Sequence, residues 1–321
     1  MDNLVEKLAD LGTEKRNLDT KDIDIMETED ILRIINKEDS SVPEKISEHF
    51  EEITKLTDMY VETIKNGGRV FQVGCGTSGR LALVDAAELP CTYGIPYGQV
   101  IGIMGGGLDA VLRPAEGLED HEELGKEDIK KYSLTGKDMV IGVAASGRTP
   151  YPLGAMKYGK SLGCKIGAIT SVKKSEFSKI ADVAVDIDTG PEIVLGSTRM
   201  KGGTLTKLVL NMVSSTAMIK LGHVFSNYLI DGYDTNEKGW ARSIRQIVEM
   251  TGCSEQEAHD AYYEVRGTDK DFKVACTMCF TKKSSTEARE LLDKHDGNLK
   301  LVLKELDINY SWSDIVTLCY N

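Results

Sequence analysis

The chain has 321 residues, of which 41% are hydrophobic, so it can build one large α/β domain and a smaller unit. The net charge of −12 argues against a nucleic acid or an anionic membrane surface as a partner. The seven cysteines are scattered and odd in number, which argues against a disulfide framework. The sequence has neither a basic-then-apolar signal pattern nor a long apolar stretch, and we therefore predict a cytoplasmic protein.

The first part of the chain is polar and predicts an N-terminal arm over residues 1–40. Ser41 then has the character of a helix N-cap, with Pro43 in the first turn and Glu44 at the third helical position. Apolar residues at intervals of three or four continue this helix to Ile64, and two glycines follow. We therefore expect the first long helix to begin at Ser41.

Short apolar strands alternate with helical segments through the middle of the chain. The predicted strands are residues 69–74, 100–104, 138–143, 165–170 and 183–187. This alternation predicts a three-layer α/β/α sandwich with a mostly parallel, doubly wound sheet over residues 41–245. Ligands in such sheets bind beyond the carboxyl ends of the strands.

Residues 246–321 predict a small, all-helical C-terminal unit with a weak internal repeat. Two Ser–Glu pairs, Ser254 with Glu257 and Ser284 with Glu287, have the spacing of capping boxes. A glycine stands at the expected end of each following helix. The pattern predicts two helix–turn–helix copies, for which packing or subunit contact is a better explanation than catalysis.

The first predicted strand runs into the glycine loop Gly74-Cys75-Gly76-Thr77-Ser78-Gly79-Arg80. This loop also fits the dinucleotide pattern G-x-G-x-x-G, but the second strand ends in Met104 and glycines rather than in an acidic residue that would hold a ribose. Hydroxyls and free N–H groups at a helix N-terminus suit a phosphate monoester instead.

Two further turns carry hydroxyls at equivalent places, one after the third strand and one before the helix predicted over residues 200–222. In a parallel sheet these turns lie at one edge, and together they predict a phosphosugar site. The candidate binding residues are Gly76, Thr77, Ser78, Gly79, Ser146, Gly147, Thr149, Ser197 and Thr198.

Binding the phosphate does not by itself catalyse a reaction, so an enzyme with this site also needs acid–base groups outside the hydroxyl turns. The nearest carboxylates are Asp85 and Glu88, on the helix after the first loop, and Glu116 and Glu119, after the second strand. Sequence spacing alone does not choose among them. The five histidines are dispersed, and we predict no metal site.

Several segments resemble one family, the N-acetylmuramic acid 6-phosphate etherases. They are Thr13–Asn17, Ile35–Asp39, Gly74–Arg80, Ala145–Tyr151, Gly190–Glu192, Gly196–Lys201, Lys207–Met212 and Asp234–Lys238. The resemblance runs from about residue 12 to residue 306. The loops alone are typical of the wider sugar-isomerase (SIS) superfamily, which includes the glucokinase regulatory protein.

The resemblance implies a homodimeric lyase of cell-wall sugar recycling. Such an enzyme cleaves the C3 D-lactyl ether of N-acetylmuramic acid 6-phosphate by elimination and hydration, without a metal or organic cofactor. It implies that Glu119 removes the C2 proton and that Glu88 protonates the departing lactate oxygen. An acid that donates near neutral pH needs a raised pKa, which burial beside apolar neighbours could supply.

The chain departs from the family around the implied acid. Residues 87–94 read Ala-Glu-Leu-Pro-Cys-Thr-Tyr-Gly, where the family usually has Ser-Glu-Cys-Pro-Pro-Thr-Phe-Gly. The expected ligand is therefore N-acetylmuramic acid 6-phosphate or a related phosphosugar. Two alternatives stay open at this point: a non-catalytic phosphosugar-binding regulatory protein, and an aldose–ketose isomerase, which also removes a C2 proton.

Overall fold

The computed structural model describes Gly12 and residues 15–113, 117–232, 237–268 and 270–308. The chain divides into two compact units. The first consists of Met1–Glu88 and Tyr97–Ala217, and the second of Leu89–Pro96 and Met218–Asn321. Some predicted features lie outside the described residues: Thr13 and Glu14 of the arm, the candidate Glu116, most of the Asp234–Lys238 segment, and the tail beyond residue 308.

The first long helix begins earlier than the sequence predicts. Helix α1 spans Thr28–Ser47 and helix α2 spans Phe50–Lys65. The prediction that Ser41 caps a helix is wrong, because the Ser41 hydroxyl donates to the Glu38 carbonyl at 2.6 Å, one turn back inside α1. The acidic first turn of α1 suits a helix N-terminus, and Pro43 is accommodated within the helix.

The rest of the first unit alternates strands and helices as predicted. Its strands are β1 Val70–Gly74, β2 Val100–Met104, β3 Met139–Ala144, β4 Lys165–Thr170 and β5 Val183–Asp186. Its helices are α3 Gly76–Tyr93, α4 Asp109–Leu112, α5 Glu122–Lys130, α6 Pro150–Ser161 and α7 Lys201–Lys220, of which α3 and α7 end in the second unit.

The five strands form one parallel sheet in the order β2-β1-β3-β4-β5. Successive residues of β1 face opposite sides of the sheet. Phe71 and Val73 pack in a buried cluster with Met156 of α6, whereas Gln72 bonds to Asp85 of α3. Helices therefore cover both faces, and the predicted α/β/α fold with a parallel sheet is confirmed.

The second unit is mainly helical. It contains a short hairpin, β6 Val224–Phe225 with β7 Tyr228–Leu229, and the helices α8 Glu237–Thr251, α9 Glu255–Val265, α10 Asp271–Thr281, α11 Ser285–Lys294 and α12 Leu299–Glu305. Both predicted capping boxes are present, at Ser254 and at Ser284. Gly267 and Gly297 adopt φ values of +78° and +75° after α9 and α11, a backbone conformation that glycine adopts readily.

Within the part of the chain that the structure describes, no helix has both the length and the apolar composition needed to cross a membrane.

An ion pair between the buried Asp138 and the half-buried Arg69 fixes the amino ends of the central strands. The Asp138 carboxylate accepts hydrogen bonds from the Arg69 backbone N–H at 2.8 Å, the Arg69 guanidinium at 2.8 Å and the Thr135 N–H at 2.8 Å. Burial acts to raise the pKa of Asp138, but the hydrogen bonds from Arg69 and Thr135 outweigh it, so the pKa is lowered. Folding therefore favours the charged form of Asp138.

We expect Asp138→Asn to lower the free energy of unfolding by about 2 kcal/mol near pH 7, because the guanidinium loses its charged partner but stays partly hydrated. Since the folded-state pKa is lowered, this contribution is present above the ordinary aspartate pKa and is lost as the pH falls through the lowered value. Urea denaturation at several pH values measures it. A difference between wild type and variant that stays constant into strong acid would contradict the expectation.

Candidate functional site

The carboxyl edge of the sheet gathers the loops that carry hydroxyls. Gly74, the last residue of β1, pairs with Val143 of β3 and Met104 of β2, so the loops that follow these strands leave the sheet side by side. The Gly105 N–H donates to the Gly74 carbonyl at 3.1 Å and ties the loop after β2 to the end of β1. The structure thus brings the first two hydroxyl loops to one edge.

The first loop turns tightly into α3. A Cβ added to Gly79 would lie 2.7 Å from the Gly74 carbonyl oxygen, so only glycine fits there. This turn leaves Thr77 half-buried and Ser78 buried in the first turn of α3. A helix N-terminus with hydroxyls is an arrangement that suits an anion.

The second loop follows β3 and contains Ser146 and Thr149, whose hydroxyl oxygens are 3.5 Å apart. Gly147 adopts a φ of +60°, and a Cβ there would lie 2.4 Å from the Cβ of Ser175. Ser175 is itself held by the Asp186 carboxylate, which accepts its N–H at 2.8 Å and its hydroxyl at 2.9 Å. The loop therefore packs against Ser175, which hydrogen bonds fix to the end of β5.

The third hydroxyl turn, at Ser197 and Thr198, leads into α7, whose first turn approaches both other loops. A Cβ built at Gly202 would lie 3.4 Å from the Ala145 Cβ, and one built at Gly203 would lie 3.5 Å from the Thr77 Cγ2. The start of α7 thus lies against both other loops. The structure brings the three predicted hydroxyl turns together.

A buried glutamate that is not among the predicted site residues fixes the start of α7. Glu192 is fully buried, and its two carboxylate oxygens accept the backbone N–H groups of Lys201 and Gly202, each at 2.9 Å. Burial raises the pKa of Glu192, although these two hydrogen bonds act in the opposite direction. The Lys201 ammonium in turn pairs with Glu38 of α1 at 2.7 Å. The sequence offers one sign of this role, because an acidic residue, Glu192, stands within ten positions of the start of α7.

Glu119 lies near the first loop. It belongs to a short 3-10 turn, Leu118–Asp120, which follows Gly117 at a φ of +82°. Burial, together with the negative charge of Glu119, raises the pKa of the Cys75 thiol to about 12. Glu119 is therefore close enough to act electrostatically on Cys75, between Gly74 and the first turn of α3, and the Cys75 thiol stays neutral at physiological pH.

Glu88 lies elsewhere on the same unit. The main chain of α3 at Leu83 passes the middle of β2 so closely that a Cβ on Gly102 would come within 2.7 Å of the Leu83 Cα. Asp85 bonds to Gln72, in the middle of β1. Glu88 is one helical turn further from the loops, about 4.5 Å toward the amino ends of the strands, and is exposed. Within one copy, the structure does not bring Glu88 to the hydroxyl turns or to Glu119.

Asp85 is the residue that fixes α3 in this position. Its carboxylate is buried and accepts hydrogen bonds from the Gln72 amide, the Asn211 amide and the Ser214 hydroxyl, all at 2.9 Å. One side chain thus joins β1, α3 and α7, the three elements that carry two of the hydroxyl turns and Glu88. Three donors compensate the cost of burying the carboxylate.

We expect Asp85→Asn to lower the free energy of unfolding by about 2 kcal/mol, because the asparagine amide presents N–H groups to at least one neighbouring donor. Chemical denaturation measures the change, and Asp24→Asn at an exposed position is the matched control. An Asp85→Asn variant as stable as that control would show that the three hydrogen bonds contribute little.

Among the described residues, no group of three or more histidine, cysteine, aspartate or glutamate side chains is arranged to hold a metal ion. The polar groups at the loop edge are mostly hydroxyls and backbone N–H groups, which are partners for phosphate oxygens rather than ligands for a metal.

The profile described as "Glucokinase regulatory protein N-terminal SIS domain" matches residues 52–160. Together with the five-stranded parallel sheet and the hydroxyl turns at its carboxyl edge, this match identifies a sugar-isomerase-type domain. Among solved structures, a phosphoheptose isomerase from Francisella tularensis has a TM-score of 0.47 and 16% identity, covering 60% of this chain and 100% of that one.

Full-length relatives specify the family. The chain is 44% identical over 296 residues to an N-acetylmuramic acid 6-phosphate etherase of Yersinia pestis, covering 92% of this chain and 99% of that protein. It is 40% identical over 303 residues to the protein of the same name from Actinobacillus succinogenes, covering 94% and 99%. The chain belongs to the N-acetylmuramic acid 6-phosphate etherase family, as its sequence motifs predict.

Proposed function

We propose that this chain is a lyase that cleaves the C3 D-lactyl ether of N-acetylmuramic acid 6-phosphate, giving N-acetylglucosamine 6-phosphate and D-lactate. The observation that supports the proposal most directly is that three hydroxyl turns and Glu119 lie at one edge of the sheet. The chain also belongs to the etherase family. The cytoplasmic location stays a prediction.

The proposal gives the hydroxyl turns the role of holding the 6-phosphate. The hydroxyls are those of Thr77, Ser78, Ser146, Thr149, Ser197 and Thr198, and Gly76, Gly79 and Gly147 shape the turns. Hydroxyl and backbone N–H donors at the start of a helix stabilise an anion. No charged side chain is required for this role, which is consistent with the acidic composition of the chain.

The chemistry proposed for the site has two steps. In the first, Glu119 takes the proton from C2, which the aldehyde of the opened sugar acidifies, and the C3–O bond breaks as Glu88 gives a proton to the departing lactate oxygen. A double bond between C2 and C3 forms. In the second step, Glu88 takes a proton from water as the water hydroxyl adds to C3, and Glu119 returns its proton to C2. The sum is one ether hydrolysed by one water, without oxidation or reduction.

Mixing the purified protein with N-acetylmuramic acid 6-phosphate should release D-lactate, which a D-lactate dehydrogenase assay measures. Heat-treated protein is the control. Folded protein that releases no D-lactate from authentic substrate would contradict the proposed function.

Two conservative variants should separate the two proposed proton transfers. We expect Glu119→Gln to stop exchange of the C2 proton with deuterated solvent. Glu88→Gln should preserve this exchange but lower lactate release by about a hundredfold or more, as is typical for loss of a general acid. Nuclear magnetic resonance of the sugar follows both. Full activity in both variants would show that the two glutamates are wrongly assigned.

A second candidate function is phosphosugar binding without turnover. The match of residues 52–160 to a regulatory-protein domain favours it, as does the separation of Glu88 from the loop edge within one copy. Calorimetry with N-acetylmuramic acid 6-phosphate decides between the two candidates, because a regulator should bind the intact sugar tightly and leave it unchanged.

The proposal includes a homodimer. Apolar side chains that a single copy leaves exposed near the site support it, among them Val84, which is 59% exposed, and Leu112, which is 86% exposed. Light scattering at micromolar concentration should give twice the mass of one chain, and the mass of a single chain would contradict this part of the proposal.

A further inference from the structure

Among the described residues of the second unit, three free cysteines belong to one buried cluster. They are Cys253, in the connection between α8 and α9, and Cys276 and Cys279, which are three residues apart on α10. Residues three apart lie on the same face of a helix, so both α10 cysteines face this cluster. The proposed lyase chemistry uses none of the three thiols.

The start of α9 fixes the position of Cys253. Ser254 is the N-cap of α9 and forms a capping box with Glu257, so Cys253 is the residue immediately before the cap. A side chain at that position typically packs against the fourth residue of the helix, which is here the buried Ala258 of the same cluster. The Cys253 N–H donates to the Thr251 hydroxyl at 3.2 Å. Cys253 thus packs on the buried side of the first turn of α9.

Cys279 approaches the same turn from the neighbouring helix. Its sulfur lies 3.9 Å from the Glu257 carbonyl oxygen. Lys282, which follows α10, pairs with the Glu257 carboxylate at 2.7 Å, so the end of α10 meets the start of α9 at two points. The Cys279 thiol thereby reaches Cys253 and donates a hydrogen bond to its sulfur.

The contact between the two sulfurs makes their reactivities unequal. The hydrogen bond from Cys279 lowers the pKa of Cys253 and outweighs burial, which acts in the opposite direction. The same hydrogen bond, together with burial, raises the pKa of Cys279. Because the thiolate is the nucleophilic form of cysteine, Cys253 is the nucleophile of the pair and Cys279 is its neutral neighbour.

Cys276 differs from this pair in its surroundings. It is fully buried, whereas Cys253 keeps 9% and Cys279 keeps 7% of its surface exposed. Burial raises the pKa of Cys276 well above its ordinary value. Cys276 is therefore a neutral thiol enclosed in the core, and a small oxidant reaches Cys253 more readily.

We propose that Cys253 and Cys279 are a redox-modification site that reacts with hydroperoxides and closes to a disulfide. The Cys253 thiolate attacks one oxygen of hydrogen peroxide, the O–O bond breaks, and the departing hydroxide takes a proton to become water. The Cys279 sulfur then attacks the Cys253 sulfenic acid, so that the S–S bond forms, the S–O bond breaks and a second water leaves with the Cys279 proton. Two thiols are oxidised, and one peroxide is reduced to two waters.

The connection that carries Cys253 allows the bond to close. A disulfide is about 2.05 Å long, so the two sulfurs must approach each other beyond hydrogen-bond contact. Cys253 lies between the end of α8 at Thr251 and the start of α9 at Glu255, outside both helices. A small adjustment of this connection brings the sulfurs together without breaking a helix.

Peptide mapping of the full chain after peroxide treatment tests the proposal. The reduced protein would be treated with a small excess of hydrogen peroxide, its remaining thiols alkylated, and its tryptic peptides analysed by mass spectrometry without reductant. We expect a cross-link between the peptides of Cys253 and Cys279, lighter by two hydrogen atoms than their sum. Cys253 should be consumed at least about tenfold faster than Cys164, because burial raises the pKa of Cys164 to about 11.

Three variants identify the partners. Cys279→Ser should abolish the cross-link and leave Cys253 as a sulfenic acid, which dimedone traps. Cys276→Ala should leave the cross-link unchanged, and it removes an ambiguity, because Cys276 and Cys279 lie on one tryptic peptide. Cys91→Ser at an exposed position is the matched control for loss of a thiol and should behave as wild type.

The wild-type map decides the proposal even if a variant fails to fold. A Cys253 thiol that stays reduced while Cys164 is oxidised, or a disulfide that joins Cys253 to any other cysteine, would overturn it. Protein unfolded in urea should lose the preference for this pair, and an equal preference there would also contradict a site built by the fold. The map does not depend on D-lactate release, so its outcome and that of the lyase assay are independent.

Discussion

The parallel direction of all five strands is the constraint on which the arrangement of the site depends. It brings the loops after β1, β2 and β3 to one edge, because Gly74 pairs with both Met104 and Val143. The same direction makes α3 return along the sheet, away from that edge. The hydroxyl turns and Glu88 are therefore separated within one copy by the fold itself, whatever side chains the loops carry.

Two buried carboxylates maintain this geometry from behind the site. Asp85 joins β1, α3 and α7 through three neutral donors, and Glu192 accepts two backbone N–H groups at the start of α7. A buried carboxyl group is costly to leave without partners, so each element can shift only by breaking these hydrogen bonds. This restricts the start of α7, which approaches both Thr77 and Ala145. Neither carboxylate needs to touch a ligand to determine where the hydroxyl turns lie.

The strands, both capping boxes and the gathering of the hydroxyl turns could be predicted from the sequence. Strand β4 was predicted at its observed bounds, Lys165–Thr170, because a short apolar run between helical segments has few other interpretations in an α/β chain. Local rules failed at α1, where Ser41 matches an N-cap pattern but bonds inside a longer helix. The sequence pattern alone could not decide whether Ser41 begins a helix, because a serine hydroxyl can hydrogen bond to the backbone both at a helix N-cap and inside a helix.

The relation between the two glutamates could not be predicted, because it depends on tertiary structure. The sequence predicts that Glu88 lies on a helix that follows the glycine loop, whereas α3 runs over Gly76–Tyr93 and starts within that loop. The extra turns place Glu88 well back along the sheet. The role of Glu192 could not be predicted for a similar reason, since its partners are backbone N–H groups that acquire their orientation only when α7 forms.

A crystal structure of the Glu119→Gln variant with bound N-acetylmuramic acid 6-phosphate tests the central claim most directly. The account predicts that the phosphate accepts hydrogen bonds from the turns at Ser78, Ser146 and Ser197, and that C2 of the sugar lies next to residue 119. A phosphate bound away from these turns, or a C2 atom remote from residue 119, would contradict it.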